Sequence, residues 1–187
     1  MAENPLTPCI VIMAGLPGTG KSTIANALAA ELGGIVFDKD RVRAALFPEP
    51  WIEYSAQQDD FVIDLLLQSA AWLLTHGRVP PWIFIDGRVF AARQQIEHVV
   101  NWARNFGCAV TIIHTVCSDA TAFQRLSSAQ HPAKNRNSEL YLDLKARFEP
   151  IDYPHLTIDS DEPLDSILPR CLSYLRNGLR ISGTHKR

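Results

Sequence analysis

Eight consecutive residues, Gly15-Leu16-Pro17-Gly18-Thr19-Gly20-Lys21-Ser22, match the pattern G-x-x-x-x-G-K-[ST] without a mismatch. Glycines at these places let backbone N–H groups converge on phosphate oxygens. The lysine can reach β- and γ-phosphates, and the hydroxyl after it can ligate Mg²⁺. The flanks give the pattern its meaning. Before it runs Cys9-Ile10-Val11-Ile12-Met13-Ala14, a short apolar run that reads as a buried strand, and after it the stretch 23–32 is a good helix former. Strand, glycine loop and helix together set a phosphate at a helix N-terminus, whose partial positive charge favours it. The candidate nucleotide-binding residues are therefore Gly15, Leu16, Pro17, Gly18, Thr19, Gly20, Lys21, Ser22 and Thr23, and Lys21 is also a catalytic candidate.

A phosphate-binding loop implies a partner group that acts on the phosphate or its acceptor, and three further places offer one. Asp38-Lys39-Asp40-Arg41-Val42-Arg43 follows a short apolar run. A phosphoryl-transfer site needs a carboxylate to orient and deprotonate an acceptor hydroxyl. Asp40 is the candidate for that role, with Asp38 holding substrate or a Mg²⁺-bound water and Arg43 fixing Asp40 or an anionic part of the substrate. A helix cap is the plainer use of Asp38. Asp86-Gly87-Arg88 follows the run Trp82-Ile83-Phe84-Ile85. There Asp86 is a second Mg²⁺-directed carboxylate, Gly87 allows close approach of substrate, and Arg88 offers a planar fork for a carboxylate or phosphate. Ser22, Asp40 and Asp86 are thus the candidate metal oxygens. The third place is the polar segment containing Arg125, Lys134 and Arg136, which reads as a mobile lid over about 127–138 that brings cations to the transferring group.

These residues need elements to position them. Apolar runs at 9–14, 35–37, 82–85, 109–116 and 156–158 read as strands. Helical stretches fall at 23–32, after Asp40, at 52–76, 91–105, 119–126, 138–148 and 163–175. In the helix over 52–76 the apolar stripe reads Phe61, Leu65, Leu66, Ala70, Leu73 and Leu74, and Gly77 closes it. Alternation of this kind predicts a three-layer α/β/α fold with a five-stranded parallel sheet, one domain over 1–187 and a frayed tail over about 177–187. In such sheets ligands bind beyond the carboxyl ends of the strands, where Asp38, Asp40 and Asp86 stand. Residues 47–54, rich in Pro, Trp and Tyr, are expected to line the acceptor pocket. Trp51, Trp72, Trp82 and Trp102 read as packing residues, with Trp51 the exception to watch, and His114 as a core or hydrogen-bonded histidine within a strand.

Composition narrows the partners. The chain has 187 residues, 47% of them hydrophobic, and a net charge of -2. No global basic field draws in nucleic acid, and no apolar run is long enough to span a membrane. Cys9, Cys108, Cys117 and Cys171 show no C-x-x-C spacing and read as free thiols of a reducing compartment. With no secretory leader visible, the expected location is the cytoplasm. The six histidines are scattered without metal-ligand spacing, which argues against zinc.

Over residues 9–175 the chain resembles P-loop small-molecule kinases. The zeta-toxin-like and polynucleotide 5′-hydroxyl kinase group is nearest in look, with shikimate, gluconate and adenylate kinases further off. The resemblance implies ATP and Mg²⁺ as cofactors, with an acceptor-activating aspartate at Asp40 and an assisting arginine at Arg43. It also implies a strand-end carboxylate at Asp86 and the first arginine of an R-L-x-x-R lid motif at Arg125. Ala129 stands where that motif has its second arginine, so Lys134 or Arg136 takes its place. Ile158-Asp159-Ser160-Asp161 resembles the loop that packs near adenine. The reaction so implied is ATP-dependent phosphorylation of a hydroxyl on a small-molecule acceptor. The alternatives are a regulatory or hydrolysing nucleotide-binding protein without an acceptor and a polynucleotide 5′-hydroxyl kinase. The charge balance and the lack of a basic stripe with interleaved aromatics disfavour the latter.

Overall fold

In the computed structural model, which describes residues 7–76, 80–128, 133, 135–178 and 180–181, strands and helices alternate along the chain. The strands are β1 (Cys9–Ala14), β2 (Ile35–Asp38), β3 (Trp82–Asp86), β4 (Ala109–Val116) and β5 (Leu156–Asp159). The helices are α1 (Lys21–Leu32), α2 (Lys39–Leu46), α3 (Ala56–His76), α4 (Arg93–Asn105), α5 (Asp119–Ser128), α6 (Ser138–Ala146) and α7 (Leu164–Asn177). The strands form one parallel sheet in the order β2-β3-β1-β4-β5. This is the expected three-layer α/β/α P-loop fold.

The central strand shows why the sequence folds this way. Every residue of β1 is buried, and successive side chains enter opposite layers. Ile10 and Ile12 join Ile63, Leu66 and Leu67 of α3 and Val99 and Val100 of α4 in one core. Cys9, Val11 and Met13 join Ile24 and Leu28 of α1 and Ile167 and Leu175 of α7 in the other. The sheet order makes β1 the place where connections change direction. A crevice opens at the carboxyl ends of β1 and its neighbours, and the glycine loop and both Asp strand ends meet there.

Three expectations shift. The buried face of α3 is Val62, Ile63, Leu66, Leu67 and Ala70, one step round from the expected stripe, and Phe61 is exposed. That helix is apolar on more than one side, so periodicity alone leaves its facing open. Among the tryptophans, Trp82 is buried and Trp102 stacks on Phe106 with centroids 4.6 Å apart, whereas Trp51 and Trp72 are exposed. The tail is pinned at residues 180–181. Ile181 exchanges backbone hydrogen bonds of 2.8 and 3.1 Å with Val110, and Arg180 lies 5.0 Å above the Trp82 ring. Finally, Gly77 and part of the expected lid, residues 129–132 and 134, lie outside the described residues. Among the described residues no helix is long and apolar enough to cross a membrane. All four cysteines are free, three of them buried.

Candidate active site

Helix α1 opens without a side-chain cap. Its N-cap is Gly20 at φ +82°, so the first-turn N–H groups stay open toward the crevice. The loop before it is held from several sides. The Gly15 N–H donates to Val89 O at 3.0 Å, and the Thr19 and Thr115 hydroxyls share a hydrogen bond of 2.8 Å. A side chain at Gly15, where φ is +136°, would collide with the Thr115 carbonyl. Lys21 Nζ donates to Gly15 O at 2.7 Å and Leu16 O at 2.8 Å, folding back over its own loop. Burial pulls the Lys21 pKa down to about 8, and the field of Asp86 opposes that shift.

The two strand-end carboxylates lie side by side because β2 and β3 pair with Asp38 opposite Asp86. Their circumstances differ. Asp38 caps α2, its Oδ1 accepting from the N–H groups of Asp40 at 2.9 Å and Arg41 at 3.2 Å. Asp86 is 0% exposed, and neither of its carboxylate oxygens has a hydrogen-bond partner among the described residues. A buried, unsatisfied carboxylate is costly unless something charged meets it. Beside Lys21 and the Ser22 hydroxyl, Asp86 supplies the hard oxygen donors that Mg²⁺ takes while keeping its waters, so the residues fit that ion. Gly87, at φ +84°, lets β3 turn beneath α2. A Cβ there would lie 2.9 Å from Lys39 N and 3.0 Å from Asp40 N.

Asp40 pairs with Arg43 as expected, within a larger buried ionic group that the sequence did not announce. Its Oδ1 lies 3.3 Å from Arg43 Nη1 and 3.2 Å from Lys39 Nζ. Lys39 also donates to Asp59 Oδ1 at 2.7 Å, and Arg43 pairs with the same carboxylate. Arg43 stacks 5.2 Å over the Tyr54 ring. Burial lowers the Lys39 pKa to about 8, against the pull of Asp40. The signal for Asp59 was available: it extends the buried stripe Ile63, Leu66, Ala70 by one helical step, so a charge at that place needs a partner. No comparable signal marks Lys39.

These groups open into a single cavity of about 600 Å³ that runs from Gly18, Lys21 and Ser22 past Asp40 and Asp86 to Arg88 and Arg136. Pro17, Gly20 and Thr23 line its glycine-loop end and Gly87 lines it beside Asp86, while Gly15, Leu16, Thr19 and Asp38 are not among its lining residues. Arg88 is buried and pairs through Nη1 with Asp60 at 2.6 Å. Arg125 rises from α5 and donates from Nη1 to Gly18 O at 3.2 Å and Ser160 Oγ at 2.8 Å, and from Nη2 to Ser160 O at 2.8 Å. It therefore lies at the glycine-loop end of the cavity, next to the loop after β5. Of residues 47–54 only Tyr54 lines the cavity. The turn Glu49–Trp51 swings Trp51 out to 69% exposure, and Gln58 fastens it by donating to Trp51 O at 3.0 Å. Ala129 and Lys134 lie outside the described residues.

His114, near the end of β4, stacks on Phe148 with centroids 5.3 Å apart and meets His155 edge-on at 5.9 Å. Burial lowers its pKa to about 4, with His155 and Lys21 adding to the effect. It is a packing histidine, half-buried behind the loop.

Comparison with known proteins agrees with this geometry. No curated protein sequence matches the chain. Solved structures do match its fold. A protein provisionally described as a kinase, from Chloroflexus aurantiacus j-10-fl, is 24% identical at TM-score 0.73, covering 92% of this chain and 99% of its own. A sugar kinase from Janibacter sp. HTCC2649 is 21% identical at TM-score 0.63, covering 91% and 95%. The Mycobacterium tuberculosis APS kinase CysC, solved with AMPPNP and APS, is 14% identical at TM-score 0.68, covering 92% and 100%. At these identities the likeness is one of fold. A model of the AAA domain family matches residues 10–151, about three quarters of the length, so the chain belongs to the AAA domain family of P-loop NTPases.

Proposed function

We propose that this protein is an ATP- and Mg²⁺-dependent kinase that moves the γ-phosphoryl group to a hydroxyl of a small-molecule acceptor. The observation that carries the reading is the continuity of one cavity from the phosphate loop to a buried Asp40 and beyond it. A protein that only hydrolyses or senses nucleotide needs to place a water there, not to keep acceptor-sized space beside a fixed carboxylate. The fold neighbours described as a sugar kinase and an APS kinase support the same reading. The finer likeness to the zeta-toxin-like and polynucleotide kinase group rests on sequence positions: the glycine loop, Asp38, Asp40 and Arg43, Asp86 to Arg88, and Arg125-Leu126.

The chain's own residues divide the work. The open N–H groups of α1 and Lys21 hold the β- and γ-phosphates, which draw Lys21 off its loop carbonyls. Ser22 and Asp86 would hold Mg²⁺, which would supply positive charge against that of the transferring phosphoryl group. Arg43 and Lys39 fix Asp40 so that one carboxylate oxygen stays free for the acceptor hydroxyl. As the acceptor oxygen bonds to the γ-phosphorus, the bridging P–O bond breaks and its electron pair leaves with ADP. The hydroxyl proton passes to Asp40. Positioning supplies most of the rate, and Arg125 with the loop after β5 serves the nucleotide end.

ADP release from Mg·ATP, measured across sugars, polyols, nucleosides, their phosphates and 5′-hydroxyl oligonucleotides, tests the reading. Stimulation by one class names the acceptor. Asp40→Asn should cut transfer by about a hundredfold or more while AMPPNP binding stays near wild type. Unstimulated turnover across the panel favours the hydrolysing or regulatory alternative, and transfer that survives Asp40→Asn removes Asp40 from the mechanism.

A further inference from the structure

Four charged side chains close a ring in the cavity wall. Asp40 Oδ1 meets Lys39 Nζ at 3.2 Å and Arg43 Nη1 at 3.3 Å. Asp59 Oδ1 meets the same Lys39 Nζ at 2.7 Å and pairs with Arg43 through Nη2. Each cation is shared by two carboxylates, and the ring is neutral as a whole. All four residues line the cavity. Lys39, Asp40 and Arg43 stand on α2, whereas Asp59 comes from the first turn of α3.

Stability alone is a poor reason for such a ring, because apolar side chains in the same space often stabilise a fold as well or better. What the ring does is fix a geometry. Lys39 is 5% exposed and Arg43 2%. Asp40 alone would leave one of these two buried charges uncompensated, and both cations would close on it. Asp59 supplies the second negative charge and makes the shorter contact to Lys39. Asp40 is then gripped at Oδ1 without being enclosed. Asp59 is itself firmly set. Ser55 Oγ caps α3 by accepting from the Gln58 N–H at 3.1 Å, and Gln58 Oε1 accepts from the Glu53 N–H at 3.0 Å. On one side of Asp59, Tyr54 stacks on Arg43; on the other, Asp60 pairs with Arg88 at 2.6 Å.

We propose that Asp59 is a positioning residue for the transfer step: through Lys39 and Arg43 it ties the first turn of α2 to α3 and holds Asp40 with Oδ2 left to the acceptor hydroxyl. The role in transfer rests on the kinase reading of Asp40. The tie between the two helices does not.

Two variants of the full chain test this. Asp59→Asn keeps the shape and removes the charge, and Asp59→Glu keeps the charge and lengthens the side chain. With the acceptor that stimulates the wild type, Asp59→Asn should lower kcat by about tenfold or more while acceptor KM and AMPPNP affinity stay within about twofold. Asp59→Glu should fall by only about threefold. Amide exchange, measured on the Mg·AMPPNP complexes, should quicken about tenfold over α2 in Asp59→Asn and stay unchanged over α4. The proposal is overturned by an unchanged kcat in Asp59→Asn, by a loss carried in KM or AMPPNP affinity, or by unchanged exchange over α2. A loss in Asp59→Glu as large as in Asp59→Asn also overturns it, since the charge would then not be what matters. Should Asp59→Asn fail to bind AMPPNP, Asp59→Glu decides, and a kcat equal to wild type or a raised KM overturns the proposal. Faster exchange over α2, with no acceptor raising ADP release in the wild type, would keep the tie between α2 and α3 and remove the kinase reading, and the role in transfer with it.

Discussion

Single residues here are constrained by what they must not be as much as by what they do. Gly87 and Gly107 have left-handed backbones, at φ +84° and +65°, but their surroundings differ. Nothing lies within 4 Å of a Cβ built on Gly107, whereas at Gly87 it would press on the backbone N atoms of Lys39 and Asp40 and on Asp38 Oδ1. Gly107→Ala should therefore cost about 1 kcal/mol, the strain of the backbone alone. Gly87→Ala adds a collision with the first turn of α2, which carries Asp40. Its expected outcome is a further loss of about 1–3 kcal/mol together with a fall in turnover of about tenfold or more, because Asp40 is displaced. Urea titration and ADP release on the two variants check this. Equal stability and equal turnover would show that the β3 turn does not position Asp40. Two non-glycine residues with positive φ, Tyr54 at 51° and Phe90 at 53°, flank the same region. Tyr54 lines the cavity, and Phe90 follows Val89, whose carbonyl accepts from the Gly15 N–H. Backbone strain is thus gathered around the site.

Elements explain which parts of the site were legible in the sequence. The glycine loop was, because its chemistry needs contiguous residues, and a strand and a helix must flank it. Asp40, Asp86 and Arg88 were, because they follow apolar runs and the ligand face of a parallel sheet lies at strand ends. Asp59 was legible only as a charge on the buried stripe of α3 and Lys39 not at all, since their partners meet only when α2 packs on α3. The cap of α4 escaped for the same reason. It comes from Glu149, whose Oε2 accepts from the Arg93 N–H at 2.7 Å across 56 residues of sequence. That long-range contact moors the chain after α6, and His114 moors it again by stacking on Phe148. The second mooring is sensitive to pH. His114 titrates near 4 in the folded chain because burial, His155 and Lys21 all disfavour its charged form, against 6.5 ordinarily. Its neutral ring therefore contributes stability that is complete above 6.5 and is lost as the pH falls toward 4. Between pH 7 and 5 the wild type should lose about 1–2 kcal/mol that His114→Phe does not lose. Denaturant melts of both proteins at the two pH values decide it, and an identical pH dependence would show that His114 carries no such linkage.

At the scale of the whole molecule, the two cores stabilise the sheet while the crevice between its strand ends works against it. A carboxylate and the Arg88 Nε, both without hydrogen-bond partners among the described residues, and a lysine folded over its own loop all sit at one edge. Ligands that complete these groups bind the folded chain only, so they must raise its melting temperature. Mg·AMPPNP at a hundred times its dissociation constant contributes about 2.7 kcal/mol. For a domain of this length that corresponds to a shift of about 5–10 °C. Asp40→Asn should keep the shift, since the proposed role of Asp40 is toward the acceptor and not the nucleotide. Lys21→Ala should abolish it, because Lys21 is the charge that the loop offers to the phosphates. Thermal melts of the three proteins with and without Mg·AMPPNP make the comparison. A full shift in Lys21→Ala would place the nucleotide somewhere other than the crevice, and no shift in the wild type would deny it a site at all. With Asp86 holding Mg²⁺ as proposed, omitting Mg²⁺ should shrink the shift in the wild type far more than in Asp86→Asn, and an equal loss in both would remove Asp86 from the proposed metal site.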